Sequence, residues 1–327
     1  MRPVDIRRIA ASASLLVVCS CTLQFGQPSS SATAVATSPS PLGAPTGTEA
    51  AQREEAPLPA PRQETAAAVL DGKLYVIAGF DSEGKGTSTT FVTDGKGWQS
   101  GPSLPAVLDH PSAASIGRRL YLAGGYSNGA ASEKVYVLST AGDAWQPASP
   151  MRHARGALAL VAVGNNLFAL GGTNGKDEVA AGELYDTAAQ VWRDLPDMPH
   201  PRDHLAGFAY QNMPCVAGGR SPNTARVDCF DSRALAWRQL PDLPVPTSGA
   251  GAAALANDVL VAGGEPVNEP GPNVDMLARL VKGNWRVGKM YLPRHGIQLA
   301  VLNGRAWACG GGASPGYDAV AGCTSIP

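Results

Sequence analysis

Residues 168–192, FALGGTNGKDEVAAGELYDTAAQVW, decide the fold. A short apolar run ends in a glycine pair (Gly171-Gly172), an aromatic follows at Tyr185, and a tryptophan closes the stretch at Trp192. Working outward in both directions, the same order returns. Comparable runs stand at YVIAGF (75–80), YLAGG (121–125), CVAGG (215–219), VLVAGG (259–264) and WACGG (307–311). Counted on Gly79, Gly124, Gly171, Gly218, Gly263 and Gly310, the spacing is 45, 47, 47, 45 and 47 residues. Trp98, Trp145, Trp192, Trp237 and Trp285 trail the first five glycines by 19, 21, 21, 19 and 22 residues. Phe91, Tyr136, Tyr185 and Phe230 fall between glycine and tryptophan, and proline turns such as LPDMP (195–199) and LPDLP (240–244) come after.

Each unit divides into four short strands. In the third, strand one covers 157–163, Gly164-Asn165-Asn166 makes a tight turn, strand two covers 167–170, strand three 183–186, and strand four surrounds Trp192. Asp71-Gly72, Asn257-Asp258 and Asn303-Gly304 occupy the same first turn elsewhere, and such pairs tolerate the positive φ that short hairpins demand. A four-stranded antiparallel unit repeated at about this period is one blade of a β-propeller. Composition agrees: Gly 38 and Pro 27 in 327 residues, with 16% charged side chains, suit a turn-rich all-β domain and not a helical bundle. With 26 Lys+Arg against 27 Asp+Glu there is no basic surplus of the kind nucleic acid requires, so no nucleic-acid partner is expected.

These residues resemble the kelch family, whose repeat carries the double glycine, the spaced aromatic and the tryptophan. The resemblance covers residues 52–327 and implies a six-bladed propeller of four antiparallel strands per blade. The sixth repeat lacks a tryptophan and a fourth strand after Gly310. The segment QREEAPLPAP (52–61) aligns with WRQLPDLPVP of the fourth repeat, so residues near 52–56 are expected to close the ring by completing the last blade. The glycine pairs precede no helix-period run, so they are turn and packing residues and not a nucleotide loop. Gly125-Tyr126-Ser127-Asn128-Gly129 matches a hydrolase elbow only in letters, because that elbow needs a strand-to-helix turn.

Upstream of the repeats, Arg2, Arg7 and Arg8 precede a twelve-residue apolar stretch (9–20), too short to span a bilayer but right for a secretion signal. Val18-Cys19-Ser20-Cys21 resembles a bacterial lipobox with Cys21 as the lipidated residue. Residues 1–21 are therefore expected to be a signal, and the Ser/Thr/Pro/Ala-rich segment 22–51 a flexible tether unable to bury enough surface to order itself. An exported protein, secreted or held to a membrane of the cell envelope only by its lipid, follows.

Four cysteines remain: Cys215, Cys229, Cys309 and Cys323. Both pairs are fourteen residues apart and place one cysteine in strand two and its mate in strand three. Facing residues of antiparallel neighbours lie within disulfide reach, so Cys215–Cys229 and Cys309–Cys323 are expected to be bonded, as export allows. Two cysteines per blade lack the further ligands of a metal site. With all four so committed, the tyrosine–cysteine centre of the galactose oxidases, which are copper-bearing kelch propellers, has no counterpart. No metal and no cofactor are expected.

All five histidines fall in the connections from strand four to the next strand one, on the face that also carries the longer loops. Counted from each first glycine, His153 and His200 stand at −18, His110 and His204 at −14, and His295 at −15. Arg155, Arg202 and Arg294 stand at −16, and Arg62 at −17. Loops on a rigid scaffold are where binding concentrates. Arg155, Arg202, Arg294, His153, His204 and His295 are thus candidates for a partial ring around the channel mouth, with arginines for a carboxylate or phosphate. The competing reading makes these arginines ordinary loop-bracing residues. The functional expectation is a protein- or glycan-binding module acting through its loop-rich face. The alternative is an enzyme of the N-acetylneuraminate epimerase type acting on an acidic sugar, with Arg155 or Arg202 and Glu178 or Glu183 sharing the work.

Overall fold

A computed structural model describes residues 52–256, 258–266 and 271–327. The expected signal and tether, and with them Cys21, lie outside the described residues. Six four-stranded antiparallel sheets form the blades of a propeller. Blade 3 is built from Ala159–Val163, Asn166–Leu170, Glu183–Asp186 and Val191–Asp194 in that order. Blade 6 takes Ala300–Leu302, Arg305–Cys309 and Cys323–Ile326 from the end of the chain and Arg53–Glu55 from its beginning. Arg53 pairs with Ser325 and Glu55 with Cys323, so the N-terminal strand closes the ring.

Burial falls from the middle of each blade to its rim. Beyond its first residue strand two is apolar because both of its faces meet neighbouring blades: Leu167, Phe168, Ala169 and Leu170 are all buried. Strand four is mostly exposed and polar, apart from its tryptophan. Each tryptophan of blades 1 to 5 donates its indole N–H backwards to a carbonyl that follows strand four of the preceding blade. Trp192 Nε1 reaches Ser149 O at 2.8 Å and Trp237 Nε1 reaches Pro196 O at 2.9 Å. Apolar packing and one hydrogen bond therefore join successive blades at the rim.

The glycine pair makes the corresponding join near the axis. The second glycine's N–H donates to a carbonyl in the next blade's entry connection, as Gly125 N to Arg155 O and Gly172 N to Arg202 O, both 3.0 Å. The first glycine sits at positive φ with that same carbonyl against it: a Cβ at Gly171 (φ +60) would lie 2.6 Å from Arg202 O. Blade 1 corrects the count made on sequence. Ala78 (φ 59), not Gly79 (φ 86), holds the first-glycine place, and Gly79 corresponds to Gly125 (φ 92). Every position upstream of it therefore shifts by one. Arg62 joins the −16 set, and Glu64 becomes the equivalent of His110.

Cys215 is bonded to Cys229 and Cys309 to Cys323, each pair in register between strands two and three. Each closes a fifteen-residue loop, worth about 3 kcal/mol in the chain-entropy account. The elbow-like pentapeptide forms a hairpin, Tyr126–Ser127 against Ala130–Ala131, with no helix beyond it. Among the described residues no helix is long and apolar enough to cross a membrane.

Candidate functional site

The axis is lined by the strand-one segments and is nearly filled. Gln298 of blade 6 reaches across it, donating to Ala113 O at 2.7 Å and accepting from Ala67 N at 3.0 Å. Only about 60 Å³ remains beside it. On the loop-rich face the axis opens into a mouth built from two concentric sets of residues.

The innermost set stands at −14: Glu64, His110, Ala157, His204, Gly249 and Gly296. Each donates its N–H to the carbonyl of the preceding blade's equivalent, and Glu64 N donates to Gly296 O, so six backbone hydrogen bonds of 2.8–3.0 Å form a closed circle. All six residues take positive φ, from 50° to 64°. Around them stand the −15 residues Gln63, Asp109, Gly156, Asp203, Ser248 and His295. Each pairs by a β-bridge with the residue after its own blade's glycine pair: Phe80, Tyr126, Thr173, Arg220, Glu265 and Gly312. This pairing places the entry connections and the strand two-to-three loops on one face, as the strand directions imply.

A cavity of about 240 Å³ opens among Glu64, His110, His204, Arg220, His295 and the rim aromatics Phe80 and Tyr317. Glu64 Oε2 lies 3.5 Å from His110 Nε2. A Cβ on Gly296 would come within 2.7 Å of Glu64 Cδ, so glycine there leaves the carboxylate its place. Asp109 Oδ1 holds His110 Nδ1 at 2.7 Å, and Asp203 Oδ1 holds His204 Nδ1 at 3.0 Å. Asp203 also binds Arg220 Nε at 2.9 Å.

Burial alone would raise the Glu64 carboxyl, but His110, His204, His295 and Arg220 outweigh it and hold the group below its ordinary value. Burial would lower the His110 imidazole, yet the carboxylates of Glu64 and Asp109 leave it raised. Asp203, also buried, is held low by His204 and Arg220.

The candidates read from sequence divide sharply. His204 and His295 line the mouth. The three arginines do not, because each turns back into its own blade. Arg155 is fully buried, with Nη2 on Glu183 Oε1 at 2.7 Å and Nη1 on Gly171 O at 3.1 Å. Arg202 binds Asp228 Oδ2 at 2.7 Å and Gly218 O at 2.6 Å. Arg294 donates to Gly310 O, Gly322 O and Thr324 Oγ1, and burial brings its guanidinium down to about 10, still charged at neutral pH. His153 is half-exposed beside Asp194, outside the mouth. Glu183, committed to Arg155, is likewise buried. The loop-bracing reading of these arginines is the one their contacts support.

Glu64, His110, Arg220 and Glu265 were missed as mouth residues. One signal was available: the dipeptide Asp-His occurs at 109–110 and again at 203–204, both times at −15 and −14. Glu64 was hidden by the one-residue slip in blade 1.

The kelch motif model matches residues 109–152 and 154–199, which are blades 2 and 3 with their entry connections. No curated protein matches the chain in sequence. Among solved structures, that of YjhT is similar, with a TM-score of 0.70 and 16% identity over 82% of this chain and 95% of that one. At that identity the likeness concerns the fold. With the motif in two adjacent blades and the same backbone join repeated around the ring, the chain is a six-bladed β-propeller that carries kelch motifs in blades 2 and 3.

Proposed function

We propose that this chain is an exported binding module whose channel mouth takes a small hydroxylated ligand bearing a carboxylate, such as the terminal acidic sugar of a glycan. The carrying observation is Arg220. It lines the mouth cavity, its side chain is 35% exposed, and it is anchored through Nε. Its two Nη groups have no hydrogen-bond partner among the described residues, which suits a carboxylate approached edge-on. Phe80 and Tyr317, edge-to-face at 5.1 Å, offer an apolar wall for a sugar ring. The two disulfides support the exported part of the reading, since such bonds persist in oxidising compartments.

The test is a thermal-shift series on the oxidised chain with sialic, uronic and neutral sugars. Ligand that binds only the folded state raises its melting temperature by mass action. Acidic sugars should shift it and neutral ones should not, and Arg220→Ala should abolish the shift. A shift that survives Arg220→Ala, or none with any acidic sugar, overturns the proposal and favours a protein partner on this face.

The contact of Glu64 with His110 favours a second reading, an acidic-sugar enzyme of the N-acetylneuraminate epimerase type. Sugar-ring opening needs a base and an acid within reach of one ligand. Anomeric exchange followed by NMR, faster with the chain than without it and slowed in Glu64→Gln, is the expected result for that reading.

A further inference from the structure

We propose that Glu64, His110 and His204 form a binding site for one divalent transition-metal ion, zinc being the reference case. Their ligand atoms all lie within 4.8 Å of one another, although the residues come from blades 1, 2 and 4. The backbone circle fixes their Cα positions, so the cluster is set by ring closure and not by flexible loops.

The tautomers argue for the ion. Asp109 and Asp203 each accept from the Nδ1–H of the histidine that follows them, which leaves the lone pair on Nε2. A carboxylate behind an imidazole, fixing its tautomer and raising its basicity, is the usual outer support of a metal-ligating histidine. Here that arrangement occurs twice, and both rings, 4.9 Å apart between centroids, belong to the same cluster. His204 Nε2 has no hydrogen-bond partner among the described residues. His110 Nε2 stands 3.5 Å from Glu64 Oε2, too long for a good hydrogen bond but a natural separation for two atoms sharing an ion.

Charge and chemistry agree. Glu64 and Glu265 line the cavity and Asp109 and Asp203 stand behind its histidines, against one lining guanidinium, that of Arg220, which Asp203 already holds. Two imidazole nitrogens and a carboxylate oxygen suit Zn²⁺, Co²⁺, Ni²⁺ or Fe²⁺ and not the oxygen-seeking Ca²⁺ or Mg²⁺. Ala157, Gly249 and Gly296 complete the circle without a donor side chain. Three protein ligands therefore leave positions open toward the 240 Å³ cavity.

The test uses the oxidised full-length chain, stripped by chelator and titrated with Zn²⁺ alone by calorimetry and with Co²⁺ by visible absorption. One ion per chain is expected, with a Co²⁺ spectrum showing imidazole nitrogen ligands. His110→Ala and His204→Ala should each weaken binding by about 100-fold or more, and Asp203→Asn by about 10–100-fold through the lost tautomer support. Glu64→Gln, which keeps side-chain shape, guards against loss through misfolding, and His153→Ala should bind as wild type does. A wild-type chain that takes up neither ion, or undiminished binding in the His110→Ala/His204→Ala double variant, overturns the proposal. Because the probe is the metal alone, failure of the acidic-sugar screen leaves this result untouched.

Discussion

Arg155 and Ala157, Arg202 and His204, and Arg294 and Gly296 each stand two residues apart in one connection, yet they serve different regions. The −16 side chain folds back under its own glycine pair, where a carbonyl sixteen residues on receives it. The −14 residue, held at positive φ by the backbone circle, belongs to the mouth. The outer set braces a loop and the inner set lines the axial channel. A residue's type is thus a poor guide to its task here. Arginine, the favoured anion binder, is buried at −16, while the chemistry collects at a position that four different residue types fill.

Replacing members of the two sets should separate stability from binding. The largest effect is expected for Arg155→Ala, which leaves Glu183 buried without its cation. Removing one partner of such a pair costs about 3–5 kcal/mol, measurable by urea unfolding, while Zn²⁺ uptake at the mouth should be unchanged. Equal loss of both would mean that the two sets are not separable. Blade 5 sharpens the point, because Thr247 holds the −16 place and donates from Oγ1 to Gly263 O at 2.9 Å. Thr247→Val removes one neutral hydrogen bond and should cost only about 1–2 kcal/mol. A cost as large as that of Arg155→Ala would show that position, and not charge, makes the brace important.

The smallest effect is a pH dependence confined to the inner set, measured with chelator present. His110 is raised above its unfolded value of 6.5, so its contribution is complete below that pH and is lost as pH rises through the folded value. Glu64 is lowered below 4.5, so its contribution is complete above that pH and is lost as pH falls through the folded value. Melting temperature should therefore gain from this pair most between 4.5 and 6.5. His110→Gln should flatten the alkaline limb and Glu64→Gln the acid limb. Limbs that keep their wild-type slopes would place the titration elsewhere.

The propeller was legible because its signals repeat: the glycine pair stands at five of the six joins, and the tryptophan at five of the six rims. The closing strand was legible too, since QREEAPLPAP carries the pattern of a strand four without its tryptophan. The mouth was not legible, for a physical reason. Its six −14 residues share a backbone conformation and no side-chain type, and Glu64, His110 and His204 meet only because the ring closes. Blade 1 obscured matters further, since Ala78 accepts the left-handed conformation that glycine takes in the other blades and so concealed where Glu64 belongs.

The pairing of Arg53–Glu55 with Cys323–Ile326 has a consequence in time as well as in space. It joins segments about 270 residues apart, and contacts of such separation are among the slowest to form. Until the final strand is available, blade 1 has no neighbour on one side, and Glu64 N has no Gly296 carbonyl to meet. The mouth is accordingly a late product of folding, and a chain lacking only Cys323–Ile326 would carry Glu64, His110 and His204 without the closed ring that brings them together.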